Sequence, residues 1–248
     1  MSCLFYCICR HPGPEVGGPL LGVGSQPVYR LTHRRLSAAV SRIGSVDLAP
    51  DLTRIRAYER VVSSMHRQGP VIPMRYGCVV SQESQVIRLL DEQDPQYEAL
   101  LQELDGCVEM GLRVLLPQAS LAAVAPGGPE GSREMSGPPP PPEVPPERLG
   151  LAYLTARKAH FAHQDRWTQE YRQAAERYRA QFAGLSVKCK TEAPSPRLPL
   201  LSLFFLVPRT ALGSFRQAFR QLSETESARL LLSGPWPPYN FVNGGFRF

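Results

Sequence analysis

Catalytic and ligand-binding motifs are scarce in these 248 residues. The Gly-rich stretch GGPLLGVGS at 17–25 lacks the Lys-Ser/Thr ending of a phosphate-cradling P-loop and the GxGxxG order of a dinucleotide fold. No serine or cysteine stands in a nucleophile elbow or another local catalytic signature. The six cysteines (Cys3, Cys7, Cys9, Cys78, Cys107 and Cys189) never fall at CxxC spacing. Cys7 and Cys9 alternate on one face of an expected strand, and His160 with His163 lack the companion ligands a metal site needs. These gaps argue for a protein that is not an enzyme, uses no cofactor and binds no metal, with reduced, packed thiols in place of a disulfide framework. Long apolar runs are missing too. The longest candidate, LLSLFFLV at 200–207, is far short of the ~18 residues of a spanning helix and suits a buried strand. The opening MSCLFYCICR has no basic region before its short apolar run, so the expectation is a cytoplasmic protein without membrane insertion.

Charge is present but dispersed. Lys and Arg number 28 against 22 Asp and Glu, a net charge of +6. One basic group forms at His33, Arg34 and Arg35; a second, from Arg157 to Arg179, is interleaved with Asp165, Glu170 and Glu176, as on a solvated helix face. Neither pattern is the continuous track that a polyanion requires.

What is there reads as strands and helices in mixed order. LFYCICR at 4–10 has strand composition and is followed by a Gly/Pro loop. The segments PVYRLTHRRL and SAAVSRI suggest a hairpin. Asp51 is a helix start, with Ile55, Tyr58, Val62 and Met65 at helical spacing before Gly69-Pro70 stops the run. VIPMRYGCVV at 71–80 reads as an inner strand, two helices follow through Leu90 and Leu104, and GCVEMGLRVLLP returns as a strand. This order predicts a ferredoxin-like antiparallel sheet with helices as an N-terminal domain over 1–117. Residues 118–147, with prolines at 138–142, 145 and 146, read as an exposed linker. A second α+β domain over 148–248 is expected from a long helix at about 149–184, carrying Trp167, Tyr171, Ala174, Tyr178 and Phe182 at steps of three or four, then strand, strand, helix and strand. The fold class is therefore α+β in two domains.

A ferredoxin-like sheet is also the scaffold of RNA-recognition domains, and RYGCVV lies where their RNP1 strand would be. That motif needs stacking aromatics, whereas Tyr76 replaces its glycine and Cys78 and Val79 occupy the stacking region. Each lost stacking platform forfeits roughly 1–3 kcal/mol, which leaves an RRM-like nucleic-acid-binding protein as the weaker alternative.

Several separated segments resemble the gas vesicle accessory proteins of the GvpF/GvpL family. VIPMRYGCVVSQES is similar to that family's P-V-L-P-M-R-F-G-T segment, with Tyr76 for Phe and Cys78 for Thr. LDGCVEMGLRVLL, GLAYLTARK, LSLFFLVPR and above all LLLSGPWPPYNFV have counterparts there as well. Tyr58 departs from the pattern, standing where members often have His, and the proline-rich spacer is longer than usual. The resemblance implies a non-catalytic protein associated with gas vesicles, needed for their assembly, with the hydrophobic shell protein GvpA and other gas vesicle accessory proteins as partners.

The C-terminal motif SGPWPPYNFV poses its own physical question, since its prolines cannot continue a central ladder yet it carries three aromatics. Trp236, Tyr239, Phe241, Arg75 and Tyr76 are the candidate partner-binding residues, with Trp236 and Tyr239 expected at the rim of the second sheet. The primary expectation for these aromatics is packing against the protein's own long helix, since large aromatics mostly serve a core, with a partner-binding role as the alternative. Arg75 and Glu109, each a charge inside an apolar strand, are expected to form an ion pair between neighbouring strands.

Overall fold

The computed structural model describes residues 2–11, 20–44, 48–116, 167–193 and 200–242. The fold is α+β, with helices packed on antiparallel sheets. The linker 118–147, its proline run, the pair His160 and His163, and the 149–166 part of the expected long helix lie outside the described residues.

The first sheet contains β1 (Cys3–Arg10), β2 (Val28–His33), β3 (Leu36–Arg42), β4 (Val71–Pro73) and β5 (Val79–Val80), in the order β2-β3-β1-β4 with β5 also paired to β1. β1 is apolar from Cys3 to Cys9, as suits a strand covered on both faces, and ends in the partly exposed Arg10. A bulge between Phe5 and Cys7 reverses its alternation: Cys3, Phe5 and Ile8 enter one core, while Leu4, Tyr6, Cys7 and Cys9 enter the other. On the second of these faces lies α1 (Leu52–Gln68), started by the Asp51 side chain accepting from the Arg54 amide at 2.7 Å. On the other lie α2 (Glu83–Glu92) and α3 (Asp94–Glu103).

The second sheet has the order β7-β8-β6-β9, formed by β6 (Cys107–Leu115), β7 (Lys188–Thr191), β8 (Leu200–Pro208) and β9 (Arg229–Trp236). One face is packed by a helix through 167–181, α4, and by α5 (Leu212–Thr225). The expected aromatic stripe is there: Trp167, Tyr171, Tyr178 and Phe182 are buried, with Ala175 fully in the core and Ala174 partly so. Phe182 stacks on Phe215 with ring centres 4.4 Å apart, and Phe205 meets both rings at 5.0 and 5.3 Å.

Two expectations are corrected here. The strand GCVEMGLRVLLP does not complete the first sheet: β6 pairs β8 along nine residues and β9 on its other side. Sequence order put β6 beside the first sheet, but its long ladder partners come from the far end of the chain. VIPMRYGCVV is likewise not one strand, because it leaves the sheet at 74–78, with Gly77 at φ +82°, and returns as β5. The excursion lies opposite the bulge of β1, with Met74 N donating to Tyr6 O and Phe5 N to Cys78 O.

Candidate functional site

The motif 233–242 begins on β9, an edge strand of the second sheet, the kind of position where a proline costs no ladder hydrogen bond. β9 keeps register with β6 from Arg229 to Ser233, then bulges, so that Gly234 and Pro235 stand opposite the single residue Met110 of β6. Gly234 takes φ +106°, and the Gly234–Pro235 peptide is cis. A Cβ on Gly234 would lie 2.6 Å from the Glu109 carbonyl oxygen, a backbone atom fixed in the ladder. Gly234→Ala is therefore expected to destabilise the protein by about 2 kcal/mol, measured as a drop in the urea midpoint with unchanged slope.

Past the bulge the residues divide by role. Trp236 is 43% exposed at the end of the edge strand, which corrects the primary expectation that it packs into the core against the long helix. Pro237 and Pro238 are buried and carry the chain off the edge. Tyr239 is half-buried against the core under α1. Asn240 closes on Glu109: its backbone N donates to Oε2 at 2.8 Å and its Nδ2 to Oε1 at 2.6 Å. Lys190 on β7 donates to the Asn240 carbonyl at 2.8 Å and lies 5.6 Å from the Phe241 ring centre. Phe241 and Val242 are buried in the core shared by β1, α2, α3 and Leu206 of β8. Phe241 is thus an internal anchor and offers no partner surface.

The expected Arg75–Glu109 ion pair is not formed. Arg75 lies exposed in the 74–78 excursion, while the buried Glu109 carboxylate is held by Asn240. Burial raises the Glu109 pKa above its ordinary value, against the opposing pull of the Asn240 donors and Lys190. Tyr76, next to Arg75, is half-buried and meets Tyr58 edge-on at 5.4 Å. Tyr76 and Tyr239, 163 positions apart in the numbering (239 − 76), pack against the same core, which brings two of the separated motifs together. At its centre the Tyr58 hydroxyl is 3.0 Å from Met74 O and within 3.2 Å of the carbonyls of Phe5, Tyr6 and Arg75. One phenolic proton is shared among these acceptors, and burial pushes the Tyr58 pKa well up, so the group remains a donor tying the bulge to the excursion.

A second polar cluster, not foreseen from sequence, joins α1 to the second sheet. His66 is buried near the C-terminal end of α1, with Nε2 3.0 Å from Cys107 O. A carbonyl only accepts, so this contact puts a proton on Nε2. Arg209, after β8, donates to the His66 carbonyl at 2.9 Å, and its backbone N donates to Gly106 O at 2.8 Å. Burial, followed by the Arg209 charge, lowers the His66 pKa to about 4.

Among the described residues no group of three or more His, Cys, Asp or Glu stands at metal-binding distance, and no helix is long and apolar enough to cross a membrane. Burial raises the pKa of Cys7, Cys9, Cys78, Cys107 and Cys189, which keeps these thiols protonated and poorly nucleophilic. The basic group at 33–35 is partly neutralised internally, because Asp91 pairs with both His33 and Arg34 at 3.0 Å. With Tyr76 packed edge-on against Tyr58, the excursion offers no flat stacking platform for RNA at that residue.

A family model described as gas vesicle synthesis protein GvpL/GvpF matches residues 2–243. The chain is 29% identical to gas vesicle protein F of a Streptomyces species over 98% of its own length and 100% of the relative's. It is 26% identical to gas vesicle protein L of the same organism, over 89% and 85% of the two chains. In fold it is similar to the crystal structure of GvpF from Anabaena, with TM-score 0.73, 18% identity and coverage of 100% and 98%. The GvpF structure from Microcystis aeruginosa gives TM-score 0.74 and 16% identity, covering 98% and 99%.

Proposed function

From the premise that this chain belongs to the GvpL/GvpF family of gas vesicle synthesis proteins, we propose that it assists vesicle assembly by binding the hydrophobic shell protein GvpA. It acts as a chaperone-like factor or minor component associated with the vesicle. A shell subunit awaiting assembly exposes apolar surface and unpaired strand edges, and such species aggregate unless they are covered. The observation that carries this reading is Trp236, a large aromatic held 43% exposed at the end of an edge strand by the bulge and prolines around it. Solvent-facing tryptophans on rigid backbone are the side chains that most often dominate an interface. Arg75, exposed on the excursion whose Tyr76 shares a core with Tyr239, is the polar candidate in the same role.

We infer also that each sheet with its helices is one domain, the second beginning at β6. The ferredoxin-like arrangement finds its strongest support in that second unit, where β6, α4, β7, β8, α5 and β9 follow in sequence and the first strand lies between the last and the third.

Co-purification with GvpA, followed by fractionation of finished vesicles, tests the partner and distinguishes a factor that leaves from a component that stays. Trp236→Ala is expected to weaken that association by about 2 kcal/mol, roughly 30-fold in Kd, with the melting temperature nearly unchanged. A large fall in melting temperature without loss of binding would instead make Trp236 a structural residue.

A further inference from the structure

Among the described residues, the face of the second sheet turned away from α4 and α5 packs against the core of the first sheet only near one end. Near the first sheet, Cys107 and Leu206 are buried and Phe204 packs against the same core. At the far end the register places Arg113 beside Leu231 and Leu115 beside Arg229. Directly paired residues of antiparallel strands share a face, so these four side chains form a checkerboard of two cations and two leucines. Leu231 is 58% exposed and Leu115 44%, and both arginines are exposed. Neither guanidinium has an ion-pair partner among the described residues. The next row, Gly111 and Ser233, is small, with Ser233 Oγ donating to Gly111 O. β9 borders this checkerboard and has no strand on its outer side among the described residues.

Among the described residues, an edge with no strand beyond it, two exposed leucines and two cations without an ion-pair partner lie together on one face, and all suit the same occupant. We propose that β9 takes on an added strand from a partner, an extended apolar segment in which Asp or Glu stands two residues from a large aliphatic side chain. Backbone pairing along Arg229–Ser233 sets the affinity. The aliphatic group lies beside Leu231, and the carboxylate lies beside Arg229 within reach of Arg113. The bulge at Gly234 ends the pairing and leaves Trp236 to close over the segment's end. A second copy of this chain is a poor occupant, because its own β9, RLLLSGPW, has no carboxylate to set against Arg229. The inference rests on the partner-binding reading above only in taking the partner to be an assembling apolar subunit.

The test uses the full chain and fluorescence anisotropy with two labelled nine-residue peptides, Val-Thr-Glu-Thr-Val-Thr-Glu-Thr-Val and its counterpart with Lys in place of Glu, so that aliphatic and charged side chains alternate along one face. The Glu peptide is expected to bind at least tenfold more tightly, and Arg229→Glu, at an exposed position, to reverse that preference without lowering the melting temperature. N-methylation of the peptide amides facing β9 should abolish binding, while methylation of the alternate set should not. Equal affinity for both peptides, or equal loss with both methylation patterns, overturns strand addition. So does self-association of the chain that the Glu peptide displaces. GvpA co-purifying normally with Arg229→Glu and Leu231→Asp would sink this inference and leave the proposed function standing. Peptide binding without any GvpA association would do the reverse.

Discussion

Phe241→Ala is expected to lower the unfolding free energy by about 3–5 kcal/mol, among the largest effects available from a single side chain near the C-terminus. The ring is buried in the core of the first sheet, yet it arrives there from the end of β9, an edge strand of the second. Its loss therefore opens a cavity and loosens the tie between the two sheets. The tie has a polar half, and the two halves differ in pH dependence. Asn240→Ala removes the side-chain Nδ2 donor to the buried Glu109 carboxylate and leaves the backbone N–H donor in place. The Glu109 pKa is already raised by burial, so its contribution to stability is full below the unfolded-state value and is lost as pH rises through the folded one. Removing that donor raises the folded value further. The cost of Asn240→Ala should thus grow between pH 4 and pH 8, whereas that of Phe241→Ala should stay flat. Urea titrations of both variants at the two pH values check this, and a flat Asn240→Ala profile would mean that Glu109 finds another donor.

That tie also shows what the sequence could and could not reveal. The elements whose signals are local were legible: Asp51 as a helix start, the aromatic stripe through Trp167 and Phe182, and LLSLFFLV as a buried strand. The partners were less so. β6 reads as an ordinary apolar strand, and nothing in its own residues says that its neighbours are β8 and β9. VIPMRYGCVV has strand composition throughout, yet it bends away opposite a bulge that only its pairing with β1 determines. The motif WPPYNF showed that aromatics must be held in fixed positions, but sequence could not divide them. One residue, Trp236, stays at the surface, while Tyr239 and Phe241 turn inward, because two buried prolines lead the chain across the seam. Asn240, the residue that grips Glu109, carried no signal beyond its place in the motif.

His66 gives the second large effect, with the opposite pH sense. Its pKa falls from 6.5 to about 4 on folding, a difference of about 2.5 units. At 1.36 kcal/mol per unit this corresponds to about 3 kcal/mol, an upper figure because relaxation around the ring reduces it. A base with a lowered folded pKa contributes stability that is fully present above 6.5 and is lost as pH falls towards 4, since the unfolded chain takes up the proton first. The wild-type chain should therefore weaken steeply between pH 7 and pH 4.5. His66→Gln retains an N–H for the Cys107 carbonyl and removes the titration. Its stability should be lower than wild type at pH 7.5, by the lost packing of the ring, and should approach or exceed wild type at pH 4.5. Because Glu109 gains stability over the acid range, the difference between the two proteins, and not either curve alone, isolates His66. Arg209→Met gives the complementary result: with the neighbouring cation gone, the folded His66 pKa rises, so the acid loss still begins near 6.5 but ends at a higher pH and is smaller. The acid loss starts where α1 meets the first residue of β6, so the seam between the two sheets should open before either sheet unfolds. Hydrogen exchange at pH 5 would show this as early loss of protection at Cys107 and Arg209, whose amides bond to Leu104 O and Gly106 O, with the Phe182–Phe205–Phe215 core still protected.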